Sequence, residues 1–254
     1  MTGVFFTARL GSTRLRSKHL IKAGAFTFLE WMIKRYAHAF ASQIARNKVK
    51  LIITTSVNPE NREFEKYASA LGIEVFYGSD DNIPLRHLQC AKHYGISSVI
   101  SIDGDDILCS AEAALKIHSF FEKNQNAGFV KTTGLPLGMN VAAYTTAYLE
   151  ECLSAAKEKK LETGWGRIFD ETKTDTLHFP GYENDGDLRL TLDYEDDARF
   201  FAAVIGKLEE KTIGISDKDL IQIIRENNYS KINSHLSQQY WNNFDAEKRQ
   251  EQQL

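Results

Sequence analysis

Short apolar runs of β character alternate with amphipathic stretches of helical period through the first half of this 254-residue chain, and that alternation restricts its fold more than any other feature. Gly3 to Ala8 forms the first run. Phe28, Leu29, Met32, Ile33, Tyr36 and Phe40 then recur at helical spacing. Val49 to Thr55 reads as a second strand, Asn58-Pro59-Glu60 as the start of a helix reaching Leu71, and Ile73 to Tyr77 as a third strand. Pro84 opens a helix bearing Leu88, Ala91 and Tyr94; Ser97 to Ile102 is a fourth strand, Ala111 to Phe121 the next helix and Ala127 to Thr132 a fifth strand. Parallel strands joined by crossover helices satisfy this order, so the expected class is α/β: an α/β/α sandwich with a mainly parallel, Rossmann-like sheet. Between Gly134 and Gly186 the rhythm loosens, which predicts a small mixed-strand excursion with longer loops. It returns with a strand at Leu188 to Leu192, a helix from about Glu195 to Leu208 and another from Asp217 to Glu226.

The length suits one domain with a small excursion. We place that domain at residues 1–232 and read 233–254 as a polar, Gln-rich C-terminal tail, a solvated helix or a frayed end whose Trp241 and Phe244 dock it on the body or on a second subunit of a homodimer. A net charge of −3 offers no electrostatic case for nucleic acid or acidic membranes. No apolar run approaches the roughly 18 residues that span a bilayer. The N-terminus has no basic region ahead of its apolar residues and reads as an opening strand. Cys90, Cys109 and Cys152 are widely spaced and form neither a disulfide framework nor a zinc pattern, as expected in a reducing cytoplasm.

In open α/β sheets, ligands bind beyond the carboxyl ends of the strands. The loop after the first strand runs Thr7-Ala8-Arg9-Leu10-Gly11-Ser12-Thr13-Arg14-Leu15-Arg16-Ser17-Lys18. Backbone N–H groups, a glycine permitting close approach, and cations at Arg9 and Lys18 suit a polyphosphate, although such a loop can also be merely basic and solvated. It is not a Walker A loop, because GxxxxGK[ST] is absent. Asp103-Gly104-Asp105-Asp106 follows the fourth strand. Carboxylates clustered there suit magnesium, which takes hard oxygen ligands, or they form an acidic loop ahead of a helix capped by Ser110. Asp193 closes DLRLTLD and either binds a cation or starts the next helix. The histidines show no metal spacing; His87 and His93 lie on different helix faces, and His19 follows the basic loop.

TARLGSTRLRSKHL resembles the signature of cytidylyltransferases that activate acidic sugars, nearest the spore-coat-polysaccharide type with its QARxGSxRLPGKxL loop. VFYGSDDNIPLRHLQCAKHYG, VISIDGDDIL, LPLGMNVAAYTTAYLEE and DLRLTLDYEDDARF resemble the family's later blocks in order, over residues 3 to 207. The resemblance implies that CTP binds through Ala8, Arg9, Gly11, Ser12, Arg14 and Lys18, with a weaker role for Arg86. It implies Mg2+ on Asp105 and Asp193, and catalytic roles for Arg9, Lys18 and Asp105. An acceptor hydroxyl on a sugar then attacks the α-phosphorus of CTP and pyrophosphate leaves. The chain departs from the family at Arg16-Ser17, where Pro-Gly stands, at Asn140 and Ala142, where Asp and Glu stand, and from Thr163 to Arg167. The nucleotide half is thus better kept than the acceptor half, and Arg167 is either an anion contact or an exposed surface arginine. Two rivals remain: a glycosyltransferase using Asp103-Gly-Asp105 as a DxD motif, and a catalytically silent member of the family.

Overall fold

Val4 and Phe6 pack on one face of the first strand and Phe5 on the other, and all three are fully buried, so this strand must lie inside a sheet covered on both sides. The computed structural model describes residues 1–12, 14–124 and 126–253. Its main sheet holds β1 (Thr2–Thr7), β4 (Val49–Ser56), β5 (Glu74–Gly78), β6 (Ser98–Asp103), β7 (Phe129–Thr133), β8 (Ala142–Thr145) and β9 (Thr174–His178) in the order β5-β4-β1-β6-β8-β7-β9. A two-stranded ribbon, β2 (Lys22–Ala23) with β3 (Phe26–Thr27), precedes the first helix. Strands β5, β4, β1 and β6 pair in parallel, with Phe6 opposite Ile53 and Thr7 opposite Asp103. β8 runs antiparallel between β6 and β7, the mixed excursion that the loosened rhythm predicts.

Helices α1 (Phe28–Ala39), α2 (Ala41–Ala45), α3 (Phe64–Leu71), α4 (Ile83–Tyr94), α5 (Ala111–Lys123), α6 (Thr146–Ala155), α7 (Glu195–Leu208) and α8 (Asp217–Glu226) flank the sheet. Their ends follow local chemistry. Thr27 and Glu30 form a capping box at α1, Asn82 and Ser110 accept from the third amides of α4 and α5, and Gly95 ends α4 in the left-handed region. α4 and α6 cover one sheet face with Leu88, Ala91 and Leu149; α1, α5 and α7 build the larger core on the other.

Leu188 to Leu192 is not a strand, contrary to expectation. Its three leucines are buried, but its backbone bonds to loops instead of a neighbouring strand: Leu190 N donates to Leu137 O at 2.8 Å and Leu192 N to Asp105 O at 2.8 Å. Alternating apolar residues report burial on one side; a ladder also needs an extended partner. Gly138 permits this approach. Its φ is +86°, and a Cβ there would stand 2.0 Å from Leu190 O. Gly138→Ala should therefore cost about 3 kcal/mol or more. The measurement is the urea midpoint at constant slope, and an unmoved midpoint would contradict the assignment.

The tail forms helix α9 (Ser237–Glu251), seated on the body. Asn233 is fully buried and donates to Arg189 O and Asp197, while Glu251 is 5% exposed. Phe244 packs beside Gly164, whereas Trp241 stays exposed. No helix among the described residues is long and apolar enough to cross a membrane.

Candidate active site

The carboxyl ends of β1 and β6 open into a cavity of about 760 Å³, within the size range of small-molecule sites. The loop leaving β1 is fixed at its root. Ala8 N donates to Thr54 O, Leu10 N to the buried Asn61 side chain at 2.9 Å, and Ser17 N returns to Leu10 O. Ala8, Arg9, Gly11, Ser12, Arg14 and Lys18 of this loop all line the cavity, as do Arg86, Asp105 and Asp193. Thr13 lies outside the described residues.

Gly104 brings the acidic loop against the end of β1. Its N–H donates to Thr7 O at 2.8 Å, and a Cβ would lie 2.5 Å from that oxygen. His19 Nδ1 donates to Gly104 O at 2.9 Å from the other side. Burial, then the charge of Lys18, push the His19 pKa down to about 4, so the ring is neutral and structural. Thr7 Oγ1 bonds His87 Nε2 at 2.7 Å, and His87 Nδ1 bonds the Tyr144 hydroxyl, a buried chain behind the cavity wall.

Lys18 is the hub. Its Nζ lies 3.2 Å from Asp105 and 3.5 Å from Asp193, and donates to Leu192 O at 2.6 Å. The side chain is only 9% exposed, so Lys18 is a buried ion-pair partner and not the cation of a merely solvated loop. Burial opposes its charge, but Asp105 and Asp193 outweigh burial and raise its pKa; Asp105 is held low mainly by Lys18 against the same opposing burial. Crowding in the cleft and repulsion from Asp105 push the Asp103 pKa upward, with Trp165 opposing, while its side chain stays exposed to the open cleft. Asp106 is raised by burial and by both neighbouring carboxylates.

Asp193 is 2% exposed, yet three cations reach it: Lys18, Arg14 Nη2 at 3.0 Å and Arg189 Nη2 at 2.9 Å. It does not cap α7. Asp197 does that work, accepting from the amides of Asp193 and Tyr194. Arg189, fully buried, also pairs with Asp197 at 3.0 Å and lies 4.4 Å from the centre of the Tyr240 ring.

The remaining wall combines Phe244, Asn140, Ala142 and the 163–166 segment, which the sequence marked for other reasons, with Glu162, Tyr240, Glu247 and Gln250, which it did not single out. Arg9 pairs with Glu162, and Arg14 with Glu247 of α9 at 2.7 Å. Trp165, Tyr240, Phe244 and Gln250 also line the cavity, together with Asn140 and Ala142. Tyr240, Phe244, Glu247 and Glu251 follow helical spacing, so the tail sequence itself carries this stripe. Arg86 lines the cavity while donating to Ser79 O at 2.7 Å and Asp80 O at 2.9 Å, so it also shapes the turn after β5. Arg167 is absent from the cavity lining and is 11% exposed; it binds Glu251 at 3.2 Å and the carbonyls of Lys160 and Thr163. It is thus neither a cavity contact nor a free surface arginine.

No protein-family model matches the chain. An uncharacterised protein of Methanocaldococcus jannaschii is 28% identical over 236 residues, covering 91% of this chain and 93% of its own. A cytidylyltransferase from Leptospira borgpetersenii superposes with a TM-score of 0.78 at 24% identity, covering 90% of this chain and 95% of its own. CMP:2-keto-3-deoxy-manno-octonic acid synthetase, solved with CTP, gives 0.60 at 10% identity over 81% of this chain and 98% of its own. The 4-diphosphocytidyl-2C-methyl-D-erythritol synthase of Anaerococcus prevotii gives 0.54 at 16% over 80% and 97%. The α/β nucleotide-binding fold is therefore one that cytidylyltransferases share.

Proposed function

We propose that this chain is a cytidylyltransferase that moves CMP from CTP to a sugar hydroxyl and releases pyrophosphate. One observation carries the reading. Arg9, Arg14 and Lys18 from a single loop meet Asp105 and Asp193 in a cleft at the strand ends of a fold found in cytidylyltransferases.

The donor set fits magnesium. Asp105 and Asp193 already share one cation, the Lys18 ammonium. Among the described residues no three His, Cys, Asp or Glu side chains are grouped to hold a metal alone, which suits an ion held by one or two carboxylates plus phosphate oxygens and water. Bound there, magnesium would polarise the α-phosphate and lower the pKa of the attacking hydroxyl. The chain's own residues bind and orient. Arg9, Arg14 and Lys18 balance triphosphate charge, and the loop backbone at Gly11 and Ser12 approaches the phosphates closely. A DxD reading of Asp103 and Asp105 for sugar transfer involves no leaving pyrophosphate for Arg9, Arg14 and Lys18 to grip.

The acceptor is proposed as an acidic sugar of a surface polysaccharide or glycan precursor, after the spore-coat type that the motifs resemble. Lys160 is a further cation on the cavity wall, 3.7 Å from Glu162. The chain would work in the cytoplasm, where CTP is made, and a homodimer is compatible with the exposed Trp241.

Calorimetry with CTP, ATP, GTP and UTP, with and without magnesium, tests the nucleotide. CTP should bind tightest and need the divalent ion; equal affinity for all four would end the cytidylyl reading. Pyrophosphate release across ulosonic, nonulosonic and neutral sugars tests the acceptor, and turnover of neutral sugars alone would remove its acidity.

A further inference from the structure

Helix α9 reaches the cleft with two carboxylates of opposite character. Glu251 is buried and saturated. It accepts from the amides of Glu162 at 3.2 Å and Thr163 at 3.0 Å, and pairs with Arg167 at 3.2 Å. Glu247, four residues earlier and one turn along the same face, is 47% exposed. It pairs at 2.7 Å with Arg14, whose guanidinium also holds Asp193, and accepts a long hydrogen bond from Thr163 Oγ1 at 3.4 Å. A solvent-accessible carboxylate on an arginine of the phosphate-gripping loop presents to that arginine the charge and oxygen geometry that a phosphate would. A pair this exposed is worth little, so a polyphosphate can displace it.

We infer that Glu247 is an internal stand-in for a substrate phosphate on Arg14, and that polyphosphate binding displaces it. This rests on the proposed nucleotide site. Glu251 and Phe244 keep α9 seated by the loop at 162–164, and Tyr240 keeps it seated over Arg189. What exchanges is the Arg14–Glu247 contact between these anchors. The helix thereby raises the threshold for occupying the site, because a ligand must outbid its carboxylate, which a polyphosphate's greater charge favours.

The prediction has an unusual sign, since removing a cavity-lining residue should strengthen binding. Glu247→Gln keeps size and a hydrogen-bonding oxygen but loses the competing charge. Calorimetry with inorganic pyrophosphate, triphosphate and CTP should show affinities about two- to fivefold higher in Glu247→Gln, the gain shrinking as salt screens the pair. In an Arg14→Ala background the same change should gain little, because the contested cation is gone. Equal or weaker binding by Glu247→Gln, or an equal gain without Arg14, would overturn the inference. Tighter polyphosphate binding without preference for CTP would uphold it and end the cytidylyl reading, whereas no polyphosphate binding by either protein overturns both.

Discussion

Replacing Asp105 by asparagine should lower turnover about a thousandfold while leaving the fold in place. Asparagine preserves shape and can still accept from Lys18, so stability should change by about 1 kcal/mol or less. It removes the negative charge that a divalent cation requires. A helix-cap role would predict a silent change, since asparagine caps as well as aspartate. The structure already assigns the cap of α5 to Ser110 and leaves Asp105 beside Lys18 in the cleft. The measurement is the kcat of pyrophosphate release with the thermal midpoint recorded alongside. Full activity would remove Asp105 from the chemistry.

Lys18→Ala should be damaging twice over. Turnover should fall about a hundredfold or more as one phosphate contact and the bridge between two carboxylates are lost. Stability should fall by roughly 3 kcal/mol, because deleting one partner of a buried pair strands the other's charge. Asp193 is buried and keeps two arginines, whereas Asp105 loses its one ion-pair partner and is 31% exposed, which places the cost toward the lower end. A loop lysine exposed in the absence of ligand would leave stability unaltered. Urea unfolding distinguishes the two. In the variant, magnesium should also recover more of the midpoint than in the parent, since a cation can re-enter between the carboxylates. An unmoved midpoint would mean that Lys18 is solvated and the bridge weak.

The sequence carried the framework through local patterns. Apolar runs and capping residues such as Asn82 and Ser110 mark where strands end and helices begin, and those ends are where ligands collect in this fold class. Motif blocks then brought Lys18, Asp105 and Asp193 into one site despite separations of 87 and 88 positions. Long-range pairing was less legible. Nothing near Lys18 announces burial, because its carboxylates and the Leu192 carbonyl arrive from two other segments. Arg9 and Arg14 find their acids in the excursion and the tail, the segments whose local patterns were weakest. Arg167 failed as an anion contact for the same reason: its partner Glu251 lies 84 positions on.

The reversed strand β8 bears on how the molecule opens. β7 precedes β8 in the chain yet lies outside it, so nothing on the β7 and β9 side touches β6 through a ladder until β8 has been laid down. The β5-β4-β1-β6 block closes through successive strand–helix–strand crossovers and has no such dependence. Native-state exchange should accordingly divide the sheet into two cooperative units, with amides of the exposed edge strand β9 released at lower free energy than those of β1 and β4. Asp103 ends the last strand of the tighter unit, while Asn140 and Ala142 belong to the looser one. In the proposed reaction, the cleft floor formed by the loop after β1 would then stay in place while the opposite wall breathes, and an acceptor could enter through that motion without disturbing a bound nucleotide.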